Sequence, residues 1–230
     1  MTAQPLTPEG FVASLQHGLL AQADTANAAA MAAYMRDQFA FLGVKSAERR
    51  AVTTPLIRAA RSSFTATDYL HAARQLWALP EREYQIAAVD LLADRPARLG
   101  SEALPVLDEL IGSKAWWDSV DGLAANVVGP LVQILPGLLP VMDDWAAGER
   151  LWHKRTAILH QLGYKTATDT ARLFGYCRDN AGHPDFFIRK AIGWALRQYA
   201  RTDADAVGGF LAREGERLSP LSLREAAKHL

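Results

Sequence analysis

The chain has 230 residues, 50% of them hydrophobic and 22% charged, with a formal net charge of zero. That length supports one large domain or two small ones with ample core, and the neutral balance gives no sign of an anionic partner acting on the chain as a whole. A single cysteine, Cys177, excludes an intrachain disulfide and a disulfide-stapled secreted scaffold.

The N-terminus lacks the basic start, apolar run and cleavage site of a secretory signal. No stretch of about 18 uncharged apolar residues occurs. The most apolar run, Leu131 to Met142, is interrupted by Pro136 and Pro140. A cytoplasmic protein without a membrane span is expected.

Helix signals recur from end to end. Thr7-Pro8-Glu9 reads as an N-cap followed by Pro at the first helical position. Helical periodicity then covers about 11–22 and 26–38, and Ser46 opens a segment with Glu48 in its first turn. Further starts are read at Thr67-Asp68, Leu79-Pro80-Glu81, Ser101-Glu102 and Ser219-Pro220. Periodic segments lie at about 116–128, 130–148, 151–162, 168–178, 185–200 and 203–213. Strand-like alternation is almost absent, and Asp121-Gly122 sits inside a helical pattern rather than in a hairpin.

This predicts an all-α chain of roughly a dozen short helices. Many short helices with tight turns suggest an α-solenoid of stacked antiparallel helix pairs, HEAT-like, with a concave basic face. The runner-up is an irregular helical bundle. No strict repeat, linker or boundary is visible, so residues 1–230 read as a single domain.

Charge is unevenly placed. Between 150 and 201 lie ten cations and three acids, a local excess of seven that the rest of the chain balances. The segment Phe186 to Arg201 concentrates this pattern. Read as a helix, it puts Lys190, Trp194, Arg197 and Arg201 on one stripe, while Phe187, Ala191, Ala195 and Leu196 turn largely toward a core. An indole ringed by cations suits a nucleic-acid backbone. It also suits a helix–helix seam with long basic side chains arranged around it.

Two further segments can carry chemistry. In Trp116-Trp117-Asp118-Ser119-Val120-Asp121, Trp117 and Asp121 stand at i, i+4 on one helix face. A carboxylate beside an indole stabilises a cation between them. The alternative is that Asp121 caps a helix or pairs with an Arg while Trp117 is core. Asp118 suits the first-turn dipole, and Trp116 reads as core. In Trp152-His153-Lys154-Arg155, Arg155 can grip Asp121 as an ion pair or a backbone phosphate.

His153 and His160 share a helix face, but no third ligand is near in sequence, so no metal is expected. Neither a GxGxxG nor a Walker loop is present, so no nucleotide cofactor is expected. Cys177 reads as a small buried side chain, and Glu81 and Glu83 as first-turn acids serving the helix dipole.

Taken together these segments resemble the DNA alkylation repair enzyme family, the AlkD-like DNA glycosylases built of HEAT-like repeats. The resemblance covers most of the chain. It is carried by Tyr34 to Lys45, Glu83-Tyr84-Gln85, Trp116 to Asp121, Arg155-Thr156-Ala157-Ile158, Phe186 to Arg197 and Ser219 to Ser222. It implies a monomeric, cofactor-free enzyme that binds double-stranded DNA and excises cationic alkylated purines such as 3-methyladenine and 7-methylguanine. It implies that the lesion need not enter a deep base pocket. The family's catalytic carboxylate falls on Asp121, its aromatic partners on Trp117 and Trp194, and its active-site Arg on Arg155. Tyr34 would lie at the cleft edge, and Lys154, Phe187, Lys190, Arg197 and Arg201 would meet DNA. The competing reading is a non-catalytic scaffold that binds DNA or protein. A closed Asp121–Arg155 pair would favour it.

Overall fold

A computed structural model describes residues 6–230. The described residues are helical throughout, with one isolated parallel bridge between Ala40 and Glu81 and no strand. None of these helices is alone long and apolar enough to cross a membrane. The chain packs as two compact units, the first ending at Val106 and the second spanning Leu107–Leu230. The sequence carries no composition shift at that point, because the boundary falls within a helix, Ala103–Gly112.

The first unit holds α1 (Pro8–Leu20), α2 (Thr25–Tyr34), α3 (Ser46–Ser63), α4 (Ala66–Ala78), α5 (Arg82–Asp94) and the start of α6 (Ala103–Gly112). The Thr7 hydroxyl accepts from Gly10 N–H at 3.1 Å, as its Pro-Glu sequel suggests. The α4 start lies two residues before its expected place. Thr65 and Asp68 form a reciprocal capping box, which outweighs the local Thr67-Asp68 signal. Helix α2 stops at Tyr34 instead of 38. Arg36 and Asp37 turn to φ 56° and 55°, and Asp37 N–H closes onto Ala32 C=O at 2.8 Å.

Beyond α2, the loop through Gly43 is held by a buried carboxylate. Glu83 is 2% exposed, and its oxygens accept from Leu42, Gly43 and Val44 N–H at 3.0, 2.9 and 3.0 Å. Gly43 has φ 85°, and a Cβ there would stand 1.9 Å from Asp24 C=O, so no other residue fits. Arg82 beside it is fully buried with its guanidinium 3.9 Å over the Phe39 ring. The Gln85 amide donates to Leu79 C=O at 2.7 Å. Glu83 does stand in the first turn of α5, as expected, and it has a further role. It satisfies three loop donors that would otherwise be buried and unbonded.

The second unit holds the rest of α6, then α7 (Trp117–Leu123), α8 (Gly129–Ile134), α9 (Leu139–Ala147), α10 (Leu151–Leu159), α11 (Thr170–Asp179), α12 (Phe186–Ala200), α13 (Ala204–Glu214) and α14 (Pro220–Ala226). A π turn over Ala124–Val128 joins α7 to α8 without a break. The single helix expected over 130–148 is two. Pro136 has no N–H, and Leu135 before it takes φ −119°, ψ 77°, so α8 ends and a short 3₁₀ turn leads into α9. Helix α12 packs on α10 and, most closely, on α14. Gly193 permits that approach, because a Cβ would meet Glu225 Cβ at 2.5 Å and Ser222 C=O at 2.9 Å.

Glu83→Gln should lower stability by about 1–3 kcal/mol, because one of the loop donors then meets an amide NH₂ instead of an acceptor. Urea unfolding of the purified protein measures this. An unchanged midpoint would mean that the loop does not depend on Glu83.

Candidate functional site

Helices α7, α10 and α12 bring the site residues together. Arg155 projects from α10 and is 3% exposed in its side chain, while Asp121 on α7 is 13% exposed. Arg155 Nε and Nη2 donate to the two Asp121 oxygens at 2.7 Å each, a bidentate pair. Arg155 Nη1 donates to the Phe187 C=O on α12. One guanidinium thus ties three helices. Of the two fates open to Arg155, the structure takes the pair with Asp121.

Burial pushes the Asp121 carboxyl above its usual range. The Arg155 hydrogen bonds and charge pull it back, and nearby Asp118 adds to the rise. The pair does not exhaust the carboxylate, whose two oxygens offer about four acceptor positions. Asp121 lines an open recess of about 400 Å³ with Gly122, Ala125, Asn126, Leu162, Gly163, Trp194 and Gln198. Trp194 is half-buried, outside the α12 core of Ile188, Ala191, Ile192, Ala195 and Leu196. Trp117 is also half-buried and stands one turn before Asp121, but it is not one of the residues lining this recess.

The cationic stripe exists, and its charges are partly spoken for. Lys190 Nζ and Arg197 Nη1 donate to the two oxygens of Glu225 on α14 at 2.8 and 2.6 Å, and Lys228 adds a third bond at 2.9 Å. The Lys190 and Lys228 bonds and charges hold the Glu225 carboxyl down at about 2. Arg201 is exposed at the end of the helix. The stripe is half-exposed and its cations lean on a carboxylate from the last helix, which the segment alone could not reveal.

Two residues expected to meet DNA lean on protein groups. Lys154 is 7% exposed, and its amine donates to Ala146 C=O at 3.1 Å and Asn180 Oδ1 at 2.6 Å. Those inward partners leave it unavailable to a phosphate. Phe187 packs with Trp116 and Trp152 at centroid separations of 5.0 Å, a half-buried aromatic cluster that carries the carbonyl held by Arg155. Trp116, expected in the core, is half-buried in that cluster, with Nε1 buried and unbonded.

The basic block between 150 and 201 is likewise largely neutralised from outside its span. Arg150 pairs with Asp108 at 2.7 Å and Arg172 with Asp143 at 3.0 Å, in addition to the Asp121 and Glu225 pairs. Tyr34 belongs to the first unit. It is 73% exposed and lines an apolar depression with Met31, Met35, Phe41 and Lys45. His153 contacts the Asp108 C=O at 3.1 Å. His160 is buried against Ala157 C=O, and burial pushes its imidazole down to about 4. Cys177 is buried and its thiol is pushed upward by desolvation.

Sequence reasoning missed Asn126 and Gln198, which share the recess with Asp121 and Trp194. Gln198 was open to discovery as i+4 from Trp194. Asn126, i+4 from the Gly122 that also lines the recess, was open to discovery in the same way.

The chain is similar in structure to a protein described as a predicted DNA alkylation repair enzyme from Enterococcus faecalis, with a TM-score of 0.83 and 32% identity over 90% of this chain and 96% of that one. Two proteins from Streptococcus mutans, described as smu.31 and AlkD2, give TM-scores of 0.62 and 0.61 at 16% identity. Each match covers 77% of this chain, and 91% and 88% of the respective relative; at that identity they speak for the fold alone. Among curated proteins none matches. The family model described as DNA alkylation repair enzyme matches residues 15–230, and the chain belongs to that family.

Proposed function

We propose that the protein is a DNA glycosylase that hydrolyses the N-glycosidic bond of cationic alkylated purines in duplex DNA. The observation that carries this reading is Asp121 in the wall of an open recess beside Trp194. Such a base is already a good leaving group. The enzyme must therefore stabilise a developing sugar cation and supply water, more than it must protonate the base. The C1′–N bond breaks, its electron pair leaves with the base and neutralises it, and water attacks C1′. Asp121 offers negative charge to the cationic sugar and accepts the proton from water, which then passes to solvent. Its upward-shifted carboxyl makes it a better acceptor than an ordinary aspartate. Trp194 offers a π face to the sugar cation, and Trp117 stands one turn from Asp121. Lys190, Arg197 and Arg201 offer charge to backbone phosphates, and Tyr34 offers an exposed aromatic from the first unit. The chain works as a monomer on DNA, without a cofactor.

A second reading has a specific observation in its favour. The closed Asp121–Arg155 pair is what a non-catalytic DNA- or protein-binding protein of this fold would use to lock its helices. The two readings part at Asp121.

Release of 7-methylguanine and 3-methyladenine from methylated duplex DNA tests this. The wild type should release base, and Asp121→Asn should slow single-turnover release by about 100-fold or more while DNA affinity holds or rises. DNA bound without release by either protein would establish the second reading. Because Asp121 must be ionised, release should fall as pH drops through its raised pKa. The acid limb should therefore lie above the ordinary carboxylate range and vanish in the Asn variant; a limb at or below that range would remove Asp121 as the titrating group.

Arg155→Ala should destabilise the fold by about 3–5 kcal/mol, because it strands a buried carboxylate. It should leave the salt dependence of DNA binding unchanged. A slope flatter by about one unit would instead show Arg155 leaving Asp121 for a phosphate.

A further inference from the structure

Along a regular α-helix, five residues turn through about 500°, so Asn126 would point about 140° away from Asp121. The helix is not regular there. Gly129 N–H bonds to Ala124 C=O five residues back, and the π turn spans Ala124–Val128. Asn126 stands one turn after Gly122, and it lines the same recess as Asp121, Gly122 and Ala125. Its side chain is exposed, and no hydrogen bond within the described structure engages its amide. The smallest residues of the recess, Gly122, Ala125 and Gly163, leave space around the two polar groups. Gly129, which follows the π turn, has no room for a Cβ, since His160 C=O would stand 2.1 Å from it. The irregular helix is therefore packed in place.

We infer that Asn126 is a positioning residue, which holds with Asp121 the water that attacks C1′. This rests on the glycosylase reading above. Arg155 occupies part of the Asp121 acceptor capacity, so one carboxylate alone fixes the water poorly. The Asn126 amide supplies a second, neutral contact, its carbonyl accepting from the water or its NH₂ donating to it, without adding a charge that would repel phosphate. The water O–C1′ bond forms, the C1′–N bond breaks, and the proton goes to Asp121 as before. Asn126 neither gains nor loses one.

The readout that separates positioning from scaffolding is the identity of the nucleophile. Methylated duplex DNA is incubated with enzyme in buffer containing methanol. Released base reports bond cleavage, and the sugar product divides between a free abasic site, reactive as an aldehyde, and an unreactive methyl glycoside. Asn126→Ala should slow single-turnover release about tenfold with little change in DNA affinity, and should raise the methyl glycoside fraction severalfold, because the water loses its second holder. Asn126→Ser, which keeps a short polar group, should recover part of both effects. Wild-type release and wild-type partition in Asn126→Ala would overturn the inference while the glycosylase reading stands. A slower variant with unchanged partition and a lowered Tm would overturn it too, leaving Asn126 structural. No release by the wild type would overturn both together.

Discussion

The guanidinium of Arg155 is the constraint on which the second unit depends. It emerges from α10 almost fully buried, takes both oxygens of Asp121 on α7, and reaches the Phe187 carbonyl at the start of α12. Desolvating two charges in this way is costly. It is recovered when the geometry is bidentate and the remaining donors are satisfied, as they are here by the carbonyl. The pair therefore sets where three helices sit, and with them the recess. The same buried setting that makes the pair expensive to break also raises the basicity of Asp121.

Two local irregularities finish the recess. Asn126, in the π turn after α7, lines the recess with Asp121. Gly193 lets α14 approach α12 closely enough for Glu225 to reach Lys190 and Arg197. Glu225 reduces the net field of the stripe but also fixes where its cations stand. Two long side chains are thereby already ordered, so that binding DNA through them, as proposed, would cost less rotamer freedom.

The helical class was legible because periodicity is local, and Asp121, Trp194 and Arg155 were legible because the family pattern names them. The stripe on α12 also came through, since i, i+4 and i+7 spacing needs nothing beyond one helix. The failures share a cause. Lys154 looked like a surface cation because Asn180 and Ala146, which hold its amine, lie elsewhere in sequence. The segment's excess of positive charge is partly offset by Asp108, Asp121, Asp143 and Glu225, which fall outside the residues that were counted. Glu83 was legible as a first-turn acid, but not as the acceptor for three N–H groups some forty residues earlier. Charge counted along a chain measures composition, whereas charge available to a ligand is what remains after tertiary pairing. The split of 130–148, by contrast, was written in Pro136, whose missing N–H is a local fact.

That distinction bears on how a neutral protein could act on DNA. A strongly basic surface gains affinity for every duplex, which slows the search for rare damage. Here the cations of the stripe are shared with Glu225, and the carboxylate at the recess is shared with Arg155. Both charges are held in place rather than left to arrange themselves on contact. On the proposed glycosylase reading, a sugar that becomes cationic at the recess would meet an Asp121 already fixed, with lone pairs beyond those Arg155 uses. An undamaged nucleotide would reach the same cationic sugar only at much higher cost, because its base must leave as an anion, so help from the carboxylate still leaves its cleavage slow. Selectivity on this proposal comes from the leaving ability of the alkylated base, and so it does not require a pocket shaped to the base.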